Sequence, residues 1–287
     1  MAFTTGAKHW INRVLRGVNL ELNTLTGDRI EVRRLAGLER GGHFSEPVFA
    51  LPEALQRMDP SEVREEVRRH RRRFEDFRDP GANDVGYTFD NPWFSSPDAE
   101  VLYAVVRRYR PQRIIEVGCG YSTRIIRQAI FDGGLGSRLV CIDPAPREDV
   151  TKLADEFHRK PVEQVPPEQI TGSLDSSDIL FIDSSHTLTV GGDVAFIYLD
   201  VLPMLRPGAL VHIHDVFLPY DYPRKWVLDE HRGFNEQYVV QAILTCSDAF
   251  EVLWAGHHLQ RTCADFASWF PQLGDRWAQS FWMRKRC

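Results

Sequence analysis

Four short apolar runs, each followed by a different kind of segment, constrain this 287-residue chain more than any other feature. They are RIIEV (113–117), RLVCID (138–143), DILFID (178–183) and ALVHIHD (209–215). Their hydrophobicity is nearly unbroken rather than alternating, so the strands they form are covered on both faces. Between them lie RIIRQAIF, a charged stretch near 147–159 read as helical, and VAFIYLDVLPML (194–205), also read as a helix. Apolar strands joined by helices predict a parallel, doubly wound α/β sheet. Two later runs, AFEVLWA (249–255) and QSFWMRK (279–285), read as further strands to which antiparallel pairing is open.

The pattern is different before residue 95. Residues 1–94 are rich in Arg, Glu and Pro and read as a mainly helical extension ending in a lid or linker, with the principal domain at 95–287. Trp10, Ile11, Val14, Leu15 and Val18 fall at helical spacing. That suits a helix packed on the main domain or on a second copy, or one lying on a membrane surface. In SEVREEVRRHRRRFEDFRD (61–79), Val63, Val67, His70, Phe74 and Phe77 line one face. Glu65 and Glu66 stand four residues before Arg69 and His70, the mark of a solvated amphipathic helix rather than an RNA-binding arm. In the turn-rich segment that follows, Tyr87, Phe89, Trp93 and Phe94 either line an acceptor pocket or dock the linker.

Composition narrows the function classes. A formal net charge of −5 lacks the basic surplus of a nucleic-acid binder. Cysteines 119, 141, 246, 263 and 287 have neither zinc-site nor disulfide-framework spacing, which suits a reducing cytoplasm. No run of about 18 apolar residues would span a membrane, and MAFTTGAKHW lacks the apolar core of a signal peptide.

Chemistry gathers where strands end. EVGCGYST (116–123) follows the first strand, and its Gly118 and Gly120 allow a ligand close to the backbone. A dinucleotide fingerprint needs a third glycine where Thr123 stands. Glu116 suits a ligand carrying positive charge, and Asp143, ending the second strand, is positioned for ribose hydroxyls. These residues resemble the first two motifs of the class I S-adenosylmethionine-dependent methyltransferases over about residues 95–287. The resemblance implies a Rossmann-like seven-stranded sheet with an antiparallel last strand. It also implies S-adenosylmethionine held by Glu116, Gly118, Gly120, Ser122, Asp143 and Asp183.

FIDSSH and VHIHD, at the ends of the third and fourth runs, resemble the metal-dependent natural-product sugar O-methyltransferases of the macrolide-modifying type. They also resemble cephalosporin-hydroxylase-like proteins. Carried over, Asp183, His214 and Asp215 would be ligands of a divalent metal and His186 the catalytic base. His214 stands where that family has a carboxylate. Imidazole suits iron or another transition metal better than magnesium, so Fe or Mn competes with Mg as the expected ion. Alternatively, His214–Asp215 is a metal-free dyad with Asp orienting His. His212 is expected to be a packed sheet residue.

The acceptor is expected to be a small hydroxyl-bearing molecule, a sugar or a natural product. Tyr220, Tyr222, Arg224, Asn235 and Glu236 follow the fourth strand as candidate pocket walls, while His257 and His258 are assigned no metal. Two other functions remain open: an iron-dependent oxidoreductase on the same fold, favoured by His214, and a non-catalytic cofactor-binding partner protein. The N-terminal helices could serve a homo-oligomer.

Overall fold

Runs rich in Ile and Val become interior strands wherever both faces find cover. The computed structural model describes residues 5–18, 26–147 and 149–287. Its strands are β1 (Arg113–Val117), β2 (Arg138–Ile142), β3 (Glu156–His158), β4 (Ile179–Ile182), β5 (Leu210–Ile213), β6 (Phe250–Ala255) and β7 (Phe281–Lys285). They form one sheet in the order β3-β2-β1-β4-β5-β7-β6. The first five are parallel, and β7 runs antiparallel between β5 and β6. The Rossmann-like sheet of seven strands expected from the resemblance is therefore present. Its order reverses between β1 and β4, the point at which ligands bind in open α/β sheets.

The α-helices among the described residues are α1 (Thr5–Leu15), α2 (Thr26–Arg40), α3 (Glu53–Gln56), α4 (Ser61–His70), α5 (Asp98–Tyr109), α6 (Tyr121–Gly133), α7 (Pro167–Thr171), α8 (Asp193–Phe196), α9 (Leu202–Met204), α10 (Glu236–Cys246), α11 (Gly256–Thr262) and α12 (Phe266–Trp269). A π-helical segment, Ile197–Val201, joins α8 to α9. One side of the sheet is covered by Leu102 and Val105 of α5 and by Ile125, Ile126 and Ala129 of α6. Val194, Ile197, Val201, Val240 and Leu244 cover the other. Each fully buried Val, Leu or Ile among them contributes about 1.5–3 kcal/mol.

Two expectations need correction. The segment near 147–159 is not a helix but a short 3-10 turn, Thr151–Leu153, followed by β3. Val140, Cys141 and Ile142 of β2 pair there with Glu156, Phe157 and His158, and Arg127 binds the Leu153 carbonyl and the Asp155 carboxylate. Pairing with a sheet edge has overridden local periodicity. The domain boundary also differs. Residues 1–46 and 47–287 are two compact units, so the expected division at 94/95 falls inside the second.

Val63, Val67, Phe74, Phe77, Tyr87, Phe89 and Phe94 belong to the same core as α5 and α6. The amphipathic face expected over 61–79 is thus buried, although the helix yields to a 3-10 segment at Arg73–Arg78. Glu66 meets His70 at 2.9 Å, while Glu65 pairs with Arg68 rather than Arg69. In the first unit, Trp10, Ile11, Val14 and Leu15 lie within α1, and Val18 ends the turn after it. Among the described residues, no helix is long and apolar enough to cross a membrane.

Candidate active site

The turn after β1 is shaped by one close approach. Gly118 has φ +82°, and a Cβ there would lie 1.8 Å from the Asp183 carbonyl oxygen. Only glycine fits both the dihedral and the space. The backbone is stitched at the same place: Gly118 donates to the Ile142 carbonyl at 3.1 Å, and Asp183 donates to Val117 at 2.9 Å. The glycine turn and the end of β4 are therefore one edge. A Cβ at Gly120 would meet nothing within 4 Å, which leaves that side open to a ligand.

Glu116 and Ser122 depart from their expected role as cofactor contacts. The Glu116 carboxylate is fully buried and accepts hydrogen bonds from Ser122 Oγ at 2.6 Å and Thr123 Oγ1 at 2.7 Å. Thr123 Oγ1 in turn accepts from the Gly120 amide at 3.0 Å. These side chains fasten the glycine turn to α6, which is what threonine supplies in place of a third glycine. Burial raises the Glu116 carboxyl to about 7. Asp143 keeps its expected position. It accepts from the Cys119 amide at 2.8 Å and the Ala145 amide at 2.7 Å, with lone pairs left for hydroxyl donors.

The ends of β4 and β5 bring four further side chains together. His186 Nε2, Asp183 Oδ1, His214 Nδ1 and the Asp215 carboxylate follow one another around a ring at 3.2, 3.6, 3.4 and 3.4 Å. His186 and Asp215 both have φ +58°. Non-glycine residues in the left-handed region cost of order 1–3 kcal/mol and persist where the surroundings over-determine them. At His186 those surroundings are the start of α10: the Asn235 and Glu236 amides both donate to its carbonyl, at 3.0 and 3.2 Å.

Each imidazole also meets a carboxylate on its outer side. His186 Nδ1 lies 2.9 Å from Glu236 Oε2, and Glu236 is buried. His214 Nε2 lies 3.5 Å from Asp98 Oδ2. Asp98 opens α5 and accepts from the Gln279 and Ser280 amides at the start of β7. Neither outer carboxylate is legible as a partner in the sequence, because α5 and α10 lie far along the chain from the strands they serve. Glu236 stood among the candidate wall residues, whereas Asp98 carried no signal.

Charge dominates this cluster. Burial alone would lower the His186 imidazole, but Asp183, Glu236 and Asp215 overcome it and raise it to about 10. His214 is likewise opposed by burial and held well above its ordinary value by Asp183 and Asp215. Burial opposes ionisation of Asp183, yet His214 and His186 hold it well below the carboxylate range. Asp215 is pushed up by its burial. Four carboxyl groups surround two imidazoles, so even with both rings protonated the acidic groups outnumber the basic ones by two.

The donor types of this set, carboxylate oxygen and imidazole nitrogen, are among those that hold divalent cations. Ligands bonded at about 2.0–2.2 Å stand roughly 3–3.5 Å from their neighbours around an ion, close to the spacing of the ring. Asp183, Asp215 and His214 would supply oxygen and nitrogen donors with an outer carboxylate behind the imidazole, the usual surroundings of a metal-bound histidine. A second group, Glu116, Cys119 and Cys141, has its donor atoms within 4.8 Å of one another. It fits a metal poorly. The Glu116 oxygens are already engaged, the hydrogen bond to Cys141 drives the Cys119 thiol upward, and burial raises Cys141 despite that bond. Metal ligation needs thiolates.

The remaining candidates separate cleanly. His212 stacks on Phe181 and bonds Ser280 Oγ at 3.0 Å, so it is a sheet residue as expected. Tyr87, Phe89 and Phe94 dock the linker, and the Phe94 ring lies 5.1 Å from that of His214. Trp93 is half exposed, with the Arg147 guanidinium 4.3 Å over its ring. Phe217, Tyr222 and Trp226 form a third apolar cluster with Phe234, whose ring stands 4.9 Å from His186. Arg224 pairs with Asp229, Tyr220 sits under Arg261, and Asn235 accepts from the Leu188 amide.

Residues 115–216 match the methyltransferase-domain family, a span running from β1 through the end of β5. No curated protein matches the chain. Among solved structures, a Bacillus cereus O-methyltransferase in complex with S-adenosylhomocysteine is 12% identical, with a TM-score of 0.39 and 97% of each chain covered. The S-adenosylhomocysteine-bound Podospora anserina methyltransferase PaMTH1 is 20% identical, with a TM-score of 0.42, covering 93% of this chain and 98% of its own. CmcI with Mg and S-adenosylmethionine is 13% identical, with a TM-score of 0.40, covering 71% of this chain and 81% of its own. All three likenesses are distant.

Proposed function

We propose that this chain, residues 115–216 of which match a methyltransferase-domain family, is an S-adenosylmethionine-dependent O-methyltransferase assisted by a divalent cation. Its acceptor in this reading is a hydroxyl of a small polyhydroxylated molecule, a sugar or a natural product. The observation that carries it is the contact between the Gly118 turn and Asp183: a turn suited to the cofactor and a His/Asp cluster suited to a cation share one edge.

S-adenosylmethionine, when bound, supplies a methyl group on a sulfonium whose departure needs no acid. A divalent cation, when bound, supplies positive charge that favours the deprotonated form of a nearby hydroxyl. The chain's own residues do the rest. Gly118 and Gly120 would admit the cofactor to the backbone, and Asp143 would accept from its ribose hydroxyls. Asp183, His214 and Asp215 would hold the cation. Glu236 fixes His186 through Nδ1, so that Nε2 faces the reaction edge.

His186 takes the proton. The carboxylates around it favour its charged form, which cannot act as a base. Neutralising Asp183 and Asp215 would weaken that bias, with Glu236 still on Nδ1, and shift the ring toward the form a proton acceptor needs. Phe94 and Phe234 flank the two histidines and limit water.

The test is turnover. The full chain, given S-adenosylmethionine, Mn(II) or Mg(II) and a panel of polyhydroxylated acceptors, should release S-adenosylhomocysteine without oxygen uptake, and a chelator should stop it. Oxygen consumption with no S-adenosylhomocysteine would favour the oxidoreductase alternative. Chelator-insensitive release would remove the cation.

A further inference from the structure

We propose that Asp98 is a positioning residue that holds the Nε2 edge of His214, commits Nδ1 to the cation pocket, and so makes the pocket select a d-block divalent ion over magnesium. This rests on the reading that Asp183, His214 and Asp215 hold a cation, and adds to it the class of ion and a fourth residue that decides it.

The His214 ring has little freedom. It is buried, Phe94 packs beside it at 5.1 Å between centroids, and Nδ1 faces Asp183 Oδ1 at 3.6 Å and Asp215 Oδ1 at 3.4 Å. Its Nε2 has no hydrogen-bond partner of ordinary length among the described residues, and the Asp98 carboxylate stands 3.5 Å away. Asp98 is itself fixed. It opens α5, and the Gln279 amide at 3.1 Å and the Ser280 amide at 2.9 Å bind it to the start of β7. A buried carboxylate on one ring nitrogen orients the other and makes it a better donor.

Donor chemistry then decides the ion. Magnesium prefers oxygen ligands and keeps its waters, whereas imidazole nitrogen favours iron, cobalt, nickel or zinc. A pocket with two carboxylates and one pre-oriented imidazole discriminates between these classes. An all-carboxylate pocket would do so far less.

Direct metal binding tests this. The full-length protein is stripped with chelator and titrated calorimetrically with Co(II) and with Mg(II), and the visible spectrum of the cobalt form is recorded. S-adenosylhomocysteine affinity serves as the control for folding. Co(II) should bind more tightly than Mg(II), with a spectrum carrying imidazole ligation. His214→Glu should reduce the cobalt-to-magnesium ratio by about 10- to 100-fold. Asp98→Asn, which keeps an acceptor for the two amides, should weaken Co(II) by about 10- to 100-fold and leave S-adenosylhomocysteine affinity unchanged.

A ratio unmoved by His214→Glu, or Co(II) affinity unmoved by Asp98→Asn, overturns the proposal. If Mg(II) binds as tightly as Co(II) and Asp215→Asn abolishes both, the selectivity fails while the cation reading stands. If neither ion binds and Asp215→Asn changes nothing, the cation reading fails and this proposal with it.

Discussion

The two halves of the active-site edge are built on opposite principles. On the β1–β2 side, polar groups satisfy one another: Glu116 is bonded by Ser122 and Thr123, and Asp143 by two backbone amides. On the β4–β5 side, four ionisable side chains face each other across 3.2–3.6 Å, and two of them, His186 and Asp215, stand on left-handed backbone. The first half is complete within the chain and acts as a mould. The second concentrates charge that the chain does not neutralise, and that is where binding and proton transfer should be felt.

The contrast breaks first at Gly118, where the two halves touch. Gly118→Ala puts a Cβ into the Asp183 carbonyl, at a cost above about 3 kcal/mol. S-adenosylhomocysteine affinity, measured by calorimetry, should fall by about 100-fold or more, with a lower melting temperature. His186→Ala comes next. It should cut S-adenosylhomocysteine release by about 10²–10⁴-fold, while equilibrium binding of that product stays near wild type.

Asp215→Asn should sharpen the division further. Removing one carboxylate from the crowded half should abolish or strongly weaken binding of Mn(II), followed by its EPR signal, and leave the glycine half's ligand untouched. Cation binding should also be coupled to protons. His186 and His214 are raised in the cation-free protein, so binding releases protons, and cation affinity should climb with pH from neutrality toward about 10.

The smallest effect separates the halves by pH. Glu116 is raised from 4.5 to about 7 by burial, so the folded state binds its proton more tightly, and stability is lost as pH rises through 4.5–7. His186 is raised from 6.5 to about 10, so its contribution is full below 6.5 and is lost as pH rises toward 10. Thermal melts of the cation-free protein should show both declines. Glu116→Gln should flatten only the lower window and His186→Ala only the upper.

What the sequence makes legible follows the same division. A glycine turn at a strand end is a local pattern, so RIIEVGCGYST reveals the turn, the sheet and the ligand edge from adjacent residues. It does not reveal that Glu116 and Ser122 are spent on each other, because that depends on α6 folding back over β1. DILFIDSSH and ALVHIHD reveal Asp183, His186, His214 and Asp215 for the same local reason. Asp98 stays hidden, and Glu236 shows only as a pocket candidate and not as the partner of His186: each reaches its histidine across a large sequence separation, and a lone carboxylate at a helix start looks like any other. The strand at 156–158 is hidden similarly, since three residues pair only because β2 offers an edge.

The central claim is proximity: the glycine turn and the His/Asp cluster serve one reaction edge. Paramagnetic relaxation measures it directly. With S-adenosylhomocysteine in exchange on the full-length protein, Mn(II) should strongly enhance relaxation of the ligand's amino-acid and ribose protons, and Asp215→Asn should abolish the enhancement without loss of ligand binding. Mn(II) and S-adenosylhomocysteine bound together on one chain with no enhancement would put them at separate sites and contradict the account.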